Sequence, residues 1–385
     1  MADYRRAAIY IGSFIGPLSG NAVLALVPSL MEDFQATAPE VLLSITFFML
    51  PFAIFMLFTG TWSDIIGRKK VLGLGFAIYA VGSVATGLSP LLWTFYIARA
   101  VTGLGFAFVQ PVLMAMLGDI VPAKERGKAM GYLGAATTAG IAFGPFLAGF
   151  MSTINWRLTF LVIALLAIGV WMMVAFFCVD PFRAGPTKDF KAFMRTLSVG
   201  FKDRKMVLLA LTGFLTFLCY IGTQSFLSAA ISAPPLSVSE EDLGIVLASA
   251  GIAGIFAAPI GGYSVDRFGS ARTALMGYAI MVIAFIVMTW AGSMMQYIVG
   301  LVILGSGSAL VWSSLLSLAV VVLPGLKGTA SSIFNSARFL GYAVAPLFFA
   351  PLFVNQGFDA VNIGSAVVAV LASLTLVVTA WLMRR

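Results

Sequence analysis

The chain is built from runs of about 20 apolar residues, separated by short basic or turn-forming segments. A helix of that length spans the hydrocarbon core of a bilayer, and such helices are predicted at 7–28, 39–61, 70–88, 91–118, 127–152, 157–178, 206–230, 240–263, 271–292, 295–322, 328–353 and 359–382. Only 10% of the 385 residues are charged, against about 25% in soluble domains, so most of the exterior must face lipid. The sequence therefore predicts an all-α polytopic membrane protein with twelve transmembrane helices. It excludes disordered, disulfide-stapled and secreted globular chains.

The positive charges lie at one end of the predicted helices. Of the 23 Lys and Arg residues, 20 fall in the two termini or in alternate loops. The intervening loops contain only Arg157, while Arg99 and Arg338 fall inside helices. Because basic loops stay in the cytoplasm, this bias predicts a multi-pass protein of the cell membrane with both termini cytoplasmic. It also accounts for the net charge of +8 without a nucleic-acid partner. The first apolar run is predicted to be a retained helix rather than a cleaved signal.

The two halves of the chain share a repeat at a nearly constant offset. The pairs at an offset of 202 are Gly60 and Gly262, Asp64 and Asp266, Gly67 and Gly269, Gly103 and Gly305, Gly105 and Gly307, and Pro122 and Pro324. A parallel repeat of six helices predicts two pseudo-symmetric bundles, at 1–178 and 206–385, joined by a cytoplasmic linker at 179–205. The seven basic residues of the linker are expected to lie near anionic lipid headgroups.

Several segments resemble motifs of the major facilitator superfamily. The stretch GTWSDIIGRKK from Gly60 resembles the superfamily signature, and RAVTGLG from Arg99 resembles its second motif. The stretch GIAFGPFLAG from Gly140 resembles the motif of its drug-exporting antiporters, as do NWRLTF from Asn155 and VPSLMEDF from Val27. The resemblance covers nearly the whole chain. It implies the major facilitator fold and a secondary transporter that alternates access between two bundles.

The resemblance also implies which residues gate the transporter. They lie at the cytoplasmic helix ends and on the fifth helix: Gly60, Asp64, Gly67, Arg68, Asp119, Gly140, Gly144, Pro145, Asp266 and Arg267. Arg68 would reach Asp119 when the cytoplasmic gate is closed. Gly140, Gly144 and Ala148 recur every four residues, which leaves a smooth helix face for close contact. The resemblance makes that face a seal between the bundles.

Two helix starts are the expected partners of the repeated aspartates. Asp64 would face the helix that starts near Gly328, because a helix N-terminus attracts a carboxylate. Asp266 would mirror this contact at Gly127. The first signature departs from the family pattern at Ile65, where a basic residue is usual.

Two arginines lie deep in predicted helices and would together floor a central pocket. Arg338 is ten residues into its helix, about 15 Å from the helix start, and Arg99 is at a similar depth. A charge there costs at least ~2.5–3.5 kcal/mol, so both should face protein or a water-filled cavity. No Asp or Glu falls at mid-depth, which predicts a preference for neutral or anionic substrates. Two alternatives stay open: backbone carbonyls neutralise Arg338, or protons are carried by Asp33, Asp64 or Asp119.

In this family, helices 1, 4, 5, 7, 10 and 11 line the central cleft. Their candidate side chains complete the predicted substrate site: Asn21, Arg99, Gln110, Met114, Tyr220, Gln224, Trp312, Asn335 and Arg338. A mainly apolar cleft with a few amides suits an amphipathic organic molecule better than a sugar.

The sequence therefore predicts alternating-access export of small amphipathic compounds by a monomer in the lipid bilayer, with proton antiport implied by the resemblance. The alternative is an exchanger or facilitator for organic anions held by Arg99 and Arg338. Histidine is absent and Cys178 and Cys219 stand alone, so neither a metal nor a redox motif is predicted. No phosphate-binding glycine loop or catalytic cluster appears, which predicts no cofactor and argues against an enzyme. No helix has the continuous polar face of a channel, and a substrate-sensing receptor of the same fold is a third alternative.

Overall fold

The computed structural model describes residues 2–177 and 190–384. The α-helices of these ranges are α1 (Ala2–Ala22), α2 (Val27–Asp33), α3 (Ala38–Ile66), α4 (Arg68–Gly87), α5 (Leu92–Ile120), α6 (Arg126–Ser152), α7 (Arg157–Phe177), α8 (Phe190–Lys202), α9 (Arg204–Ser232), α10 (Glu240–Phe268), α11 (Ser270–Thr289), α12 (Met294–Val321) and α13 (Lys327–Arg384). No strand occurs in these ranges, as the all-α prediction requires. Cys178, the first part of the predicted linker (179–189) and Arg385 lie outside the described residues.

The longest helix contains two of the predicted spans. Its 58 residues would extend about 87 Å at 1.5 Å per residue, far beyond the roughly 30 Å of a bilayer core. The chain turns at Gly357, whose φ of 78° is a conformation that other residues rarely adopt. Eleven helices of the described ranges are long and apolar enough to span a membrane. With α13 counted twice, they match the twelve predicted spans.

The first span is broken, whereas the sequence predicted one continuous helix. α1 ends at Ala22, a 3-10 turn follows at Val23–Ala25, and α2 then continues to Asp33. Pro28 stands in the first turn of α2. Because proline has no N–H and its ring clashes with the preceding turn, a straight helix cannot run through this position.

The basic linker contains a helix that the sequence did not predict. α8 is amphipathic, and its residue Leu197 is buried. The rings of Phe193 and Phe58, which belongs to α3, lie 6.5 Å apart between centroids. A Cβ on Gly200 would overlap the side chain of Ile333 in α13. α8 therefore contacts both halves of the protein at the end where the basic loops lie.

The spanning helices form two bundles, α1 to α7 and α9 to α13, which meet along two helix pairs. α6 packs on α10, and α3 packs on the first half of α13. The repeat is visible in the turns that follow α3 and α10, because Gly67 and Gly269 both adopt positive φ, at 106° and 83°. Only glycine adopts such a φ without strain, which explains why this residue recurs at the offset.

Candidate functional site

The two bundles are fastened to each other at the end opposite the basic loops. The Glu240 carboxylate of α10 accepts hydrogen bonds from the backbone N–H of Ser29, at 2.6 Å, and from its hydroxyl, at 2.7 Å. The Ser228 hydroxyl of α9 donates to the carbonyl oxygen of Leu24. Gly149 of α6 lies so close to α10 that a Cβ would overlap the Glu240 carbonyl oxygen. These contacts close the space between the bundles at that end.

Further hydrogen bonds join the bundles at mid-depth. The Tyr342 hydroxyl of α13 donates to Oδ1 of Asn21 in α1 at 2.9 Å. The Ser336 hydroxyl, also on α13, donates to the carbonyl oxygen of Ala53 in α3 at 2.6 Å. The contact between the halves therefore extends from the closed end to the middle of the molecule.

Toward the basic end the same helices separate. Ala142 and Gly149 lie on the face of α6 that meets α10, and a Cβ on Gly251 of α10 would be 2.6 Å from that of Ala142. Gly131 and Gly134 lie on the same face of α6, by helical spacing, yet a Cβ on either would have no atom within 4 Å. The space between the bundles is therefore a cleft that opens at the basic end.

Arg338 lies among aromatic rings at mid-depth. Its guanidinium carbon is 3.4 Å from the ring centre of Trp312 in α12, 4.4 Å from Phe339 and 5.4 Å from Phe217 in α9; these three rings are called the aromatic socket. Among the described residues, no carboxylate forms an ion pair with Arg338, and its Nε and Nη1 have no hydrogen-bond partner. In this conformation no backbone carbonyl of a described residue accepts from Nε or Nη1. The ring faces offset part of the cost of burial, and two buried donors of the guanidinium are left without partners.

Arg99 is fully buried, and its surroundings differ from those of Arg338. Its Nη1 donates to the Ser19 hydroxyl at 3.1 Å. Its guanidinium carbon is 4.3 Å from the ring centre of Phe48 and 5.6 Å from that of Phe160. These partners belong to α1, α3 and α7 and differ from those of Arg338, and a pocket floored by both arginines stays a prediction. A role of Arg99 in substrate binding stays a prediction.

The two predicted asparagines are occupied by local hydrogen bonds. Asn21 accepts from Tyr342 and also donates to the carbonyl oxygen of Pro17 at 2.8 Å. Asn335 donates to the carbonyl oxygen of Ser331 at 2.8 Å. The Asn335 bond lies within α13, whereas Asn21 links α1 to α13 across the interface.

The two predicted glutamines keep polar atoms without partners among the described residues. Gln110 donates to the Thr137 hydroxyl at 3.3 Å, but its Oε1 has no partner. Gln224 is buried beside the Tyr220 hydroxyl, and its Nε2 has no partner. Met114 is 48% exposed, nearer the open end of the cleft.

Three aromatic residues of this region were not among the predicted ones. Phe217 and Phe339 belong to the aromatic socket, and Tyr342 links the bundles. One signal was available for Phe217, which precedes Tyr220 by three residues and Gln224 by seven. Those spacings place the three side chains on one face of a helix.

Arg68 joins three helix ends within the N-terminal bundle. Its Nη2 is 3.2 Å from Asp64, and its Nε is 2.5 Å from Asp119. Arg68 therefore reaches Asp119 while the basic end is open, whereas the contact was expected with that end closed. A Cβ on Gly328, at the start of α13, would have no atom within 4 Å. In this conformation Asp64 pairs within its own bundle, and its contact with α13 stays a prediction.

The repeated signature segment, from Gly262 to Gly269, makes fewer side-chain contacts than the first copy. Asp266 is exposed and forms no hydrogen bond or ion pair with a described residue, and the surroundings of its expected partner, Gly127, lie outside the described side chains. Arg267 donates to the hydroxyl of Tyr263 at 3.3 Å on its own helix. A Cβ on Gly60 would also meet open space. The gating roles of these residues stay predictions.

The small-residue face of α6 contacts its own bundle. A Cβ on Gly140 would overlap the carbonyl oxygen of Phe14, and one on Gly144 would overlap that of Leu18. The tight contact is therefore between α6 and α1. Pro145, by contrast, lies against α10 of the other bundle.

A sequence profile described as the Major Facilitator Superfamily matches residues 9–346, which is most of the chain. The chain belongs to the major facilitator superfamily. Members of this superfamily are multi-pass membrane transporters and not enzymes.

Relatives and solved structures agree with this assignment. Multidrug resistance protein 2 of Bacillus subtilis (strain 168) is 32% identical over 147 residues, which are 38% of this chain and 37% of that protein. Two further curated relatives are matched over 66% and 40% of their own lengths, so the chain covers less than two thirds of these relatives.

The crystal structure of the human organic anion transporter MFSD10 has a TM-score of 0.74 at 20% identity, over 97% of this chain and 99% of that one. The xylose transporter XylE from E. coli, in a partially occluded inward open conformation, has a TM-score of 0.77 at 16% identity, over 97% and 96%. Both likenesses confirm the predicted fold.

Proposed function

We propose that this transporter exports small amphipathic organic compounds and that its central site prefers neutral or anionic molecules to cations. The observation that carries the proposal is Arg338, a buried cation in the aromatic socket with two unpartnered donors and no ion pair to a carboxylate of the described ranges. An amphipathic anion would place its apolar part against Trp312 and Phe217 and its acidic group at the guanidinium. A cationic compound would meet an unopposed positive charge.

Two similar proteins support this choice of direction and substrate. The Bacillus subtilis relative is a multidrug resistance protein, and export of a drug produces resistance to it. The human protein of similar fold is an organic anion transporter. We infer from the first that substrate leaves the cell, and from the second that this fold accommodates organic anions.

Transport would alternate between this conformation and one that is open at the other end. With the basic loops in the cytoplasm, as their charge predicts, the cleft faces the cytoplasm and takes up substrate there. Release outside requires the bundles to part at Ser29 and Glu240 and to meet at the basic end. A ligand shifts the equilibrium between these two conformations only if it binds one of them more tightly than the other.

We further propose that protons couple through Asp33. Its carboxylate accepts hydrogen bonds from the Trp156 indole at 3.2 Å and from the Arg157 guanidinium at 2.5 Å. Asp33 ends α2, the helix that also contains Ser29. Protonation of Asp33 from outside would remove the ion pair that holds α2 to its own bundle, and would so couple the proton to the external gate.

The test uses purified protein in proteoliposomes and three compounds with one aromatic skeleton: a carboxylate, its neutral amide and the corresponding amine. We expect the carboxylate and the amide to be transported and the amine to compete weakly. Arg338→Gln should reduce the apparent affinity for the carboxylate ~10–100-fold, because a charge-assisted hydrogen bond contributes about 1.5–3 kcal/mol. The same variant should change the affinity for the amide less than about twofold.

Two further measurements separate the alternatives. Arg338→Lys retains the charge and should recover part of the carboxylate affinity, whereas Arg338→Glu should abolish anion transport. Anion transport that persists after collapse of the proton gradient would favour the exchanger or facilitator. Preferred transport of the amine, or carboxylate transport unchanged in Arg338→Gln, would contradict the proposed site.

A further inference from the structure

A groove lies on the outer side of the C-terminal bundle, between α11 and the second half of α13. Its apolar part has a volume of about 310 Å³ and is lined by Phe285 and Thr289 of α11 and by residues of α13 between 362 and 371. A second cavity of about 380 Å³ adjoins it at Ile363 and ends at Gln356 and Asp359. The two together are apolar along most of their length and polar at the end near Gly357.

Asn362 in this groove is not explained by the packing of the bundle. The residue is fully buried, it lines the apolar cavity, and neither its Oδ1 nor its Nδ2 has a partner among the described residues. An amide without hydrogen bonds is costly in surroundings where no water can reach it. We therefore expect its partners to come from a molecule in the groove, one that offers a donor and an acceptor together.

The polar end of the groove selects the charge of that molecule. Asp359 is exposed and forms no ion pair with a described residue. It precedes Asn362 by three residues, so the two side chains lie on one face of the helix. A primary ammonium group has three N–H donors and can bond to the carboxylate and to the amide oxygen at once. A phosphate or an anionic headgroup alone would be repelled by the carboxylate.

The length of the groove fits one leaflet of a bilayer. From Asp359 to Leu371 the helix rises about 18 Å at 1.5 Å per residue, close to half of the roughly 30 Å hydrocarbon core. The rim is accessible to lipid, because Ile286, Ile363 and Val367 are exposed by 52%, 57% and 54%. A chain that enters beside Asn362 would therefore follow the groove to the middle of the membrane.

We propose that this groove binds a phospholipid with a primary ammonium headgroup. The ammonium group bonds to Asp359 and to Oδ1 of Asn362, an ester or phosphate oxygen accepts from Nδ2 of Asn362, and one acyl chain lies along Ala366 and Val370. The site is on the lipid-facing side of the bundle, so the proposal does not depend on the substrate or the direction of transport.

The test measures lipid retention by native mass spectrometry of the full chain, released from micelles that contain equimolar phosphatidylethanolamine and phosphatidylcholine. The two lipids differ in whether the headgroup nitrogen carries N–H donors. We expect the wild-type chain to retain phosphatidylethanolamine about fivefold over phosphatidylcholine, the effect of roughly 1 kcal/mol from one exposed ion pair. Asp359→Asn should bring that ratio to within about twofold of one.

Two variants and a third lipid keep the test specific. Glu241→Gln removes another exposed carboxylate outside the groove and should leave the retention ratio unchanged. Ile363→Trp fills the junction of the two cavities and should reduce retention of both lipids. Equal retention of the two lipids by the wild-type chain, an unchanged ratio in Asp359→Asn, or stronger retention of phosphatidylglycerol would overturn the proposal. Cross-linking of two chains through a cysteine at position 363, unaffected by lipid, would overturn it in favour of a second copy of the chain.

Discussion

The contact between Glu240 and Ser29 should set the balance between the two conformations of the transporter. The carboxylate accepts two hydrogen bonds, at 2.6 and 2.7 Å, from the opposite bundle. A hydrogen bond to a charged group contributes about 1.5–3 kcal/mol, and partial exposure reduces the sum for this pair to about 2 kcal/mol. Because that energy is present only in the conformation described here, Glu240→Gln should shift the equilibrium by up to about 30-fold towards the externally open state. Ser29→Ala removes only the hydroxyl bond and should shift it less.

Pulsed electron spin measurements of distance would detect this shift. Spin labels at positions 154 and 295 suit the purpose, because Ile154 and Met295 are 70% and 66% exposed and lie on different bundles at the closed end. In a background free of Cys178 and Cys219, either substitution should add a population at longer distance. The distance between a second pair of labels at the basic end, at positions 70 and 272, should decrease in the same variants.

The neighbouring carboxylate provides the control. Glu241→Gln removes an exposed carboxylate one residue further along the same helix and should leave both distance distributions unchanged. If Glu240→Gln leaves them unchanged as well, or if Glu241→Gln has an equal effect, then the hydrogen bonds to Ser29 do not hold the gate.

Three further substitutions test separate parts of the structure. Gly144→Ala should lower the free energy of unfolding by about 1–3 kcal/mol, and with it the melting temperature, because the added Cβ meets the Leu18 carbonyl oxygen. Gly134→Ala on the same helix should raise the free energy of unfolding by roughly 0.5–1 kcal/mol. Equal effects of the two substitutions would refute the packing of α6 on α1. Arg99→Met should stabilise the protein by about 1 kcal/mol, since it removes a buried unpaired cation, and a fall in melting temperature would indicate a bound anion instead. Asp33→Asn should make export insensitive to an imposed pH gradient in proteoliposomes, while Asp33→Glu should retain the response. If the gradient still accelerates export by Asp33→Asn, Asp33 is not the proton carrier.

The features that depend on chain length and on polarity could be predicted from the sequence. A bilayer fixes the length of a spanning helix, so the twelve spans followed from the apolar runs, and even the turn at Gly357 falls in the predicted gap. The repeat predicted equivalent turns, and Gly67 and Gly269 adopt them. The break before α2 was not predicted, although Pro28 was a visible signal for it.

The rotation of each helix about its axis could not be predicted in the same way. Lipid tails are as apolar as a protein core, so the pattern that identifies the buried face of a soluble helix is weak here. Gly140 and Gly144 therefore indicated a close contact but not that α1 makes it. For the same reason, the depth of Arg99 and Arg338 was readable, whereas their separation into two different surroundings was not.

Arg338 and Tyr342 are one helical turn apart on α13, and this spacing has a consequence for energy transfer. The tyrosine hydroxyl holds α13 to Asn21 of the other bundle, and under the proposed function the guanidinium would bind an anion. A molecule that pulls the arginine toward itself must displace the same turn of helix that forms this link between the halves. Occupancy and reorientation are thus connected over about 6 Å of a single helix, with no relay of intermediate residues between them.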